Sequence, residues 1–221
     1  MKMFKKLSKK KKKMPIYIIV LIILAAVFLL WIAFGFFGSR VEQLQYTVID
    51  SSKEYEIWEI HEHLVVETEV QGSFVEAGNE AFSILAGYIF GDNKSQSKIA
   101  MTAPVVETES EKIAMTAPVV AGQTEENLMT YAFVLPAKYT LETLPVPNDP
   151  RAKIREVERM KVAVLSFRGF FTDKNFDSKK EALKQYLERD GLSYSRLYSA
   201  GYNPPWTPPF MRRNEVWAEL K

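Results

Sequence analysis

Cysteine is absent from this chain of 221 residues, and histidine occurs at only two positions, His61 and His63. Without Cys the chain can form no disulfide, no iron–sulfur cluster and no cysteine nucleophile. Two imidazoles also exclude a zinc site built from three His. The motifs GxSxG and HExxH, the P-loop and a GxGxxG after a strand are missing as well. The chain is therefore predicted not to be an enzyme, although a site built from Glu and Tyr alone stays open.

Acidic residues are missing from positions 1–39, which carry eight Lys. The whole chain has 29 basic and 27 acidic residues, so positions 40–221 hold 21 basic and 27 acidic residues, a net charge of −6. A strongly basic tail thus precedes a mildly acidic domain, and nucleic acid is not an expected partner. The 182 residues after position 39 are enough for one globular domain.

Charged residues are also missing from positions 16–37, a run of 22 residues that would span about 33 Å as a helix. A cleavable signal peptide usually has a shorter apolar region and a small-x-small site, whereas this run ends in two Phe. A retained signal anchor is therefore predicted, with the Lys-rich N-terminus in the cytoplasm. The predicted single-pass membrane protein has a basic cytoplasmic tail (1–15), a transmembrane helix (16–37), a linker (38–45) and an extracytoplasmic domain (46–221).

The domain contains two similar halves, because residues 152–170 align with 55–73 at an offset of 97. In the first half, 55–70 predicts one long or bent strand, 73–90 has helical spacing, and strands are expected up to 128–135. The second half is expected to contain a helix from about Asp177, as N-cap, to Arg189, then strands at 193–200 and 215–219. Two strand–helix–strand–strand halves predict an α+β fold with one curved sheet or barrel and two helices outside.

A shorter repeat lies inside the first half. KIAMTAPVV occurs at 98–106 and again, letter for letter, at 112–120. The alternating residue types and the polar linker ETESE predict a β-hairpin. Pro104 and Pro118 cannot donate to a strand ladder, so each is expected at an edge or a bulge.

KIAMTAPV after a strand and a helix resembles the SOUL family of haem-binding proteins. The segments YAFVLP, LPVPNDP, SFRGF and AGYNPPWTPPFMRRNEVW follow in the order typical of that family. The resemblance covers about residue 46 to the C-terminus, and the membrane anchor is an addition to it. It implies a distorted antiparallel β-barrel of about eight strands with two flanking helices, and a ligand such as haem or another tetrapyrrole.

A porphyrin needs an apolar surface, a partner for its propionates and usually one axial ligand to iron. His61 and His63, two apart on a predicted strand, are expected to face the same side, so at most one would ligate iron. The alternative is that both are exposed polar residues at a strand rim. The resemblance implies an axial His four positions after the Tyr of the YEI motif, but Glu59 stands there in this sequence.

Further candidate ligand residues lie outside the His pair. Met101 and Met115 could pack on a porphyrin face or could serve only hairpin packing. Arg212 or Arg213 could pair with a propionate, or could pair with Glu215 and hold the C-terminal strand in place. An aromatic, Pro-stiffened loop suits a pocket rim, a protein contact or the cap of a barrel; its candidate residues are Tyr202, Trp206 and Phe210.

The sequence thus predicts a membrane-anchored, non-catalytic protein that binds haem or a related tetrapyrrole. One alternative is an effector-binding or protein-interaction module whose ligand is not haem and whose contact surface is the aromatic loop. A second alternative is a hydrolase or isomerase that uses pocket carboxylates.

Overall fold

The computed structural model describes residues 15–38, 41–72, 74–95, 110–123 and 128–221. The first element is an apolar helix, α1 (Ile16–Gly38). Its stretch Ile16–Phe36 has 21 residues and a mean hydropathy of 3.1, so it is long and apolar enough to cross a membrane. A signal sequence near the N-terminus can meet the same criterion of length and composition.

The remaining described elements alternate short strands with two further helices. In chain order they are β1 (Glu42–Gln43), β2 (Tyr46–Ser51), β3 (Glu56–Ile60), β4 (His63–Gln71), α2 (Phe74–Ile89), β5 (Asn93–Lys94), β6 (Thr116–Ala117), β7 (Val119–Gln123), β8 (Leu128–Val134), β9 (Val146–Pro147), β10 (Lys153–Val157), β11 (Met160–Phe167), α3 (Asp173–Arg189), β12 (Tyr194–Gly201) and β13 (Asn214–Leu220).

Nine of these strands form one curled antiparallel sheet in the order β10-β4-β8-β7-β12-β13-β11-β3-β2. From β10 to β3 the order is symmetric, because β4-β8-β7 on one side corresponds to β11-β13-β12 on the other. This symmetry confirms the two strand–helix–strand–strand halves and the α+β fold. The sheet has nine strands where about eight were expected; the edge strand β2 is the one without a counterpart.

The long strand predicted at 55–70 is interrupted at His61 and Glu62, between β3 and β4. The equivalent interruption, at Glu158 and Arg159, separates β10 from β11. The two interrupted strands pair with each other in one constant antiparallel register, from Lys153 opposite Glu67 to Val164 opposite Glu56. The local two-fold axis of the duplicated fold therefore passes through both interruptions, which lie at the offset of 97 found in the sequence.

A glycine follows each of the bent strands. Gly72 has a φ of 131° and Gly169 a φ of 133°, a conformation that a side chain with a Cβ adopts only with strain. The two glycines correspond in the sequence repeat, so the duplicated halves turn from strand toward helix in the same way.

The helices begin and end for local reasons, and one predicted N-cap is wrong. The cap of α3 is Thr172, which has extended backbone angles and accepts a hydrogen bond from the backbone N–H of Asn175. Asp177, the residue predicted to cap this helix, is an exposed residue inside its second turn. Phe176 is 1% exposed, so burying its ring favours the earlier helix start. The predicted end at Arg189, followed by Gly191, is confirmed.

The core consists of two clusters on the two faces of the curled sheet. The larger cluster packs α2 and α3 against the sheet through residues such as Leu85, Phe133 and Leu183. The smaller cluster contains Trp58 and Trp217. Leu44, in the segment predicted as a linker, is buried in the smaller cluster.

The described part of the predicted hairpin is its second copy. Ile113 and Ala117 are buried and Met115 packs against the larger core cluster. Pro118 lies between β6 and β7, where the chain leaves one sheet and enters another. The first copy, with Met101 and Pro104, lies outside the described residues, so the hairpin itself stays a prediction.

Candidate functional site

A groove of about 540 Å³ opens beside the interruption between β3 and β4. Its volume lies within the range of sites for small molecules. The groove is formed where four separate segments meet: the end of β1 with the residues before β2, the β3–β4 bend, the end of β8 with the loop that follows, and β10. The residues along it are Gln43, Leu44, Gln45, His61, Glu62, His63, Leu64, Val134, Leu135, Ala137, Tyr139, Thr140, Leu141, Glu142 and Glu156.

His63, the first residue of β4, is held in one tautomer. Its Nδ1 lies 2.8 Å from the carbonyl oxygen of His61. Because a carbonyl only accepts, Nδ1 carries the proton and Nε2 keeps its lone pair in the neutral ring. Burial lowers the pKa of His63 below 6.5, the charge of Arg155 adds to this, and the hydrogen bond to His61 partly opposes it. The ring is therefore neutral at pH 7, with an Nε2 that can ligate a metal.

His61 has a different environment. Its Nε2 lies 2.9 Å from the hydroxyl oxygen of Thr47 on β2. The contact ties the ring to the neighbouring strand, since a hydroxyl can donate to this nitrogen or accept from it. Both imidazoles thus line one groove. The Nε2 of His61 contacts the hydroxyl of Thr47, whereas the Nε2 of His63 does not.

The remaining wall of the groove is mixed in character. Leu and Val side chains supply apolar surface, whereas Glu62, Glu142 and Glu156 are acidic. Tyr139 donates from its hydroxyl to Glu111 at 2.7 Å, and burial and this bond raise its pKa to about 12. Tyr139 is therefore protonated at neutral pH and forms a fixed wall of the groove. The ammonium of Lys138 lies 4.7 Å from the centre of the Tyr139 ring, next to the groove.

A second polar cluster surrounds Glu215, a fully buried carboxylate on β13. One carboxylate oxygen accepts from the hydroxyl of Tyr202 and the indole N–H of Trp217, both at 2.8 Å. The other accepts from Nε of Arg213 at 2.7 Å and from the hydroxyl of Ser166 at 3.2 Å. Burial of this charge is tolerated because every lone pair has a donor.

Arg213 connects this cluster to the groove. Its guanidinium lies 4.0 Å from the centre of the Tyr202 ring and donates to the side-chain oxygen of Gln43 at 3.2 Å. Burial opposes the charge of Arg213, but the Glu215 carboxylate keeps its pKa above the usual value. Because Gln43 lines the groove, Arg213 supports the groove wall from behind.

Arg212 points the other way, into the aromatic loop. Its Nε donates to the carbonyl of Thr207 at 2.7 Å and its Nη2 donates to the carbonyl of Pro205. Trp206, in the same loop, is half exposed and its carbonyl accepts from the indole N–H of Trp31 in α1. This loop contacts the apolar helix and does not line the groove.

The structure therefore separates the candidate residues that the sequence singled out. His61 and His63 share the groove. Tyr202 and Arg213 belong to the Glu215 cluster, Met115 packs against the core, and Arg212 and Trp206 belong to the aromatic loop. Their roles as ligand residues stay predictions.

Most of the groove wall was missed in the sequence. Gln43, Gln45 and Leu141 belong to no motif, and they meet only because the sheet curls. The single available signal was the duplication, since the local two-fold axis passes beside both His. The sequence indicates Glu215 only as a partner of Arg212 or Arg213, whereas in the structure it accepts hydrogen bonds from four side chains.

Fold and groove together define a class: an α+β protein with a curled sheet, two packed helices and a groove of small-molecule size at the bend of its longest strands. The chain belongs to the SOUL family, because the family model described as "SOUL heme-binding protein" matches residues 41–219.

Relatives agree with this assignment, and a solved structure is similar in fold. The chain is 31% identical to heme-binding protein 1 of Xenopus tropicalis over 155 residues, which cover 69% of this chain and 76% of the relative. It is 30% identical to human heme-binding protein 2 over 138 residues, 62% of each chain. The fold is similar to the crystal structure of the EcmrR C-terminal domain, with a TM-score of 0.54, 10% identity, and coverage of 80% of this chain and 99% of that one.

Proposed function

We propose that this chain is a single-pass membrane protein whose extracytoplasmic domain binds haem or a related tetrapyrrole reversibly, without catalysis, and so carries, buffers or senses it. Relatives named as haem-binding proteins support the ligand class. The groove at the β3–β4 bend is the proposed site. Helix α1, with its 21-residue apolar stretch, is the proposed anchor.

The geometry of His63 is the observation that carries this proposal. Histidines that ligate metals usually donate the other ring N–H to a carbonyl or carboxylate, which fixes the tautomer and the ring orientation. His63 has this arrangement, since its Nδ1 donates to the carbonyl of His61. A haem bound here would supply an iron centre for Nε2 of His63, and the residue tolerates that role because its ring is neutral at pH 7.

The walls of the groove suit a porphyrin ring better than its propionates. The apolar residues Leu44, Leu64 and Leu141 can contact the ring. The acidic residues of the groove would repel propionates, so these groups are expected to face out of the groove. Lys138, on the loop that borders it, can pair with one of them.

A hemin titration of the full chain in lipid nanodiscs, followed in the Soret band against empty nanodiscs, tests the proposal. We expect saturable binding with one haem per chain. His63→Ala is expected to shift the Soret maximum and weaken binding, because it removes the iron ligand. His61→Ala is the matched control, and its spectrum should resemble that of the unchanged protein.

A third variant tests the groove without changing a possible iron ligand. Leu141 is half exposed, so Leu141→Glu adds a charge to the groove at little cost to folding. It should weaken binding of hemin and of iron-free protoporphyrin alike. Absence of saturable binding would overturn the proposal and favour an interaction module, and identical spectra for both His variants would overturn the assignment of His63.

A further inference from the structure

Two loops form one exposed aromatic surface beside α1. The surface is defined by Phe170, Trp206 and Phe210, which are 61%, 51% and 49% exposed. Its two loops are joined by the backbone N–H of Gly169, which donates to the carbonyl of Pro209 at 3.1 Å. Nη1 of Arg168 also donates to the carbonyl of Phe210 at 2.9 Å. Large rings thus stay exposed on loops that are internally braced.

The aromatic surface continues directly from the apolar helix. The ring centres of Phe34 and Trp206 lie 6.0 Å apart, and those of Phe28 and Phe210 lie 6.4 Å apart. The backbones also approach closely, since a Cβ added to Gly35 would lie 2.6 Å from Cδ of Pro208. Phe28 precedes the end of the candidate span by eight residues, about 12 Å of helix rise. A bilayer that surrounds α1 would therefore reach the aromatic surface.

The backbone carbonyls of the loop that contains Trp206 and Phe210 are hydrogen-bonded within the protein. Each carbonyl from Pro204 to Phe210 accepts a hydrogen bond from a protein donor, among them the side chains of Arg168, Arg212 and Trp31. Four residues of this loop are Pro and have no N–H to satisfy. An exposed loop usually bonds water, whereas backbone groups that enter lipid must be satisfied by protein. Satisfied carbonyls are one part of what entry into a bilayer boundary requires.

The charge of the surface points to the same partner. Positions 166–172 and 202–213 contain no Asp or Glu. Arg168 and Arg212 donate to loop carbonyls there, whereas the charge of Arg213 is paired with the buried Glu215 carboxylate. The domain as a whole is acidic, so this surface is locally basic on an otherwise acidic body. Aromatic rings with Arg and no acid are typical of proteins at the boundary between headgroups and acyl chains.

We infer that the aromatic surface enters the outer headgroup–acyl boundary of the same bilayer that holds α1. The inference rests on the proposed anchoring of α1. The surface acts as a second contact with the membrane, about 5–10 Å deep in the boundary. It holds the domain in one orientation on the bilayer, and a helix alone would leave the domain free to tilt.

Because the chain has no Cys, one introduced Cys labels one site. The full chain is reconstituted in vesicles of phosphatidylcholine and phosphatidylglycerol, with the fluorophore NBD on Phe210→Cys or Trp206→Cys. Glu181→Cys, on the exposed face of α3, is the matched control. Leu24→Cys reports separately on α1. Quenching is compared between aqueous iodide and a lipid with a nitroxide near the top of its acyl chain.

We expect blue-shifted emission, loss of iodide quenching and strong nitroxide quenching at positions 210 and 206, and the reverse at 181. If position 24 is quenched by lipid but 210 and 206 behave like 181, the inference is overturned and the anchor stands. If position 24 is open to iodide, anchor and inference both fail, and the hemin titration still tests the groove. Protection of 210 from iodide without nitroxide quenching would indicate a second copy or another protein and would overturn a lipid contact.

Discussion

At the scale of single residues, the domain depends on one buried charge. Glu215 accepts from the side chains of Tyr202, Arg213, Trp217 and Ser166. Removing one partner from such a cluster leaves the others unsatisfied in a medium of low dielectric constant. The free energy of unfolding therefore falls by more than it does when a surface ion pair is broken.

Glu215→Gln is expected to lower the free energy of unfolding by about 3 kcal/mol, because the amide N–H₂ cannot accept from Trp217 or Tyr202 and the Arg213 charge loses its partner. Urea unfolding followed by Trp fluorescence measures this. The matched control is Glu219→Gln on the same strand. The carboxylate of Glu219 accepts from the hydroxyl of Tyr198 at 2.9 Å, and the amide oxygen of Gln can replace it in this bond. The control should cost less than about 1 kcal/mol, and equal losses would contradict the role of Glu215 as a hub.

The partly buried imidazole of His63 predicts that stability depends on pH. Its pKa is lowered in the folded protein, mainly by burial, so the unfolded chain takes up the proton first as the pH falls. The contribution of neutral His63 to stability is present above pH 6.5 and is lost between pH 6.5 and its lower folded pKa. We expect His63→Gln to remove that part of the decline in unfolding free energy. If the unfolding free energy falls equally in both proteins between pH 6.5 and the folded pKa of His63, the folded structure does not hold this ring in its neutral form.

At the scale of elements, the two bent strands and their terminal glycines organise the fold. β3 with β4 and β10 with β11 pair in one register across the local two-fold axis. Each then turns toward its helix at a glycine with positive φ. A duplicated sequence thus closes on itself and places both interruptions next to the groove.

Gly169→Ala and Gly87→Ala are expected to change stability in opposite directions. A Cβ at Gly169 meets nothing closer than 3.7 Å, but its φ of 133° would strain Ala, at a cost of about 1–2 kcal/mol. Gly87 lies in α2, where a Cβ meets only ordinary contacts at 3.8 Å, so Ala should stabilise the protein by up to about 1 kcal/mol. Thermal unfolding of the two variants measures both signs. A neutral Gly169→Ala would mean that the turn after β11 relaxes to accept a side chain.

At the scale of the whole molecule, the groove lies near α1, the proposed anchor. Gln43 lines the groove and follows Gly38, the last residue of α1, by five residues. Five extended residues span at most about 17 Å. With α1 in a bilayer, the groove therefore opens close to the membrane surface, within reach of an amphipathic ligand dissolved in the lipid.

Under the proposed function, hemin loaded into the vesicles that carry the protein should reach the groove without crossing bulk water. Stopped-flow absorbance of the Soret band measures the transfer. We expect an aqueous haem scavenger to leave this uptake unchanged and to block uptake from separate vesicles, which serve as the control. Equal inhibition in both arrangements would contradict uptake from the membrane.

The same scales separate what could be predicted from what could not. Helix and strand positions follow from residue spacing, and the duplication follows from direct alignment, because both are properties of neighbouring residues. The N-cap of α3 was predicted at Asp177, since an acidic residue before an apolar pattern is a good cap. Burial of Phe176 outweighed that local preference and moved the cap to Thr172.

The sequence by itself determined the apolar helix, the α+β halves, the family and the pair of His as the sole imidazoles. Only the tertiary structure decided which His has a free Nε2, which Arg faces the buried carboxylate, and which residues line the groove. The physical reason is the separation along the chain of the residues that determine each feature. Patterns along the chain record the local periodicity of helices and strands, whereas tautomers, ion pairs and groove walls depend on atoms from segments up to about a hundred residues apart, which meet only when the sheet curls.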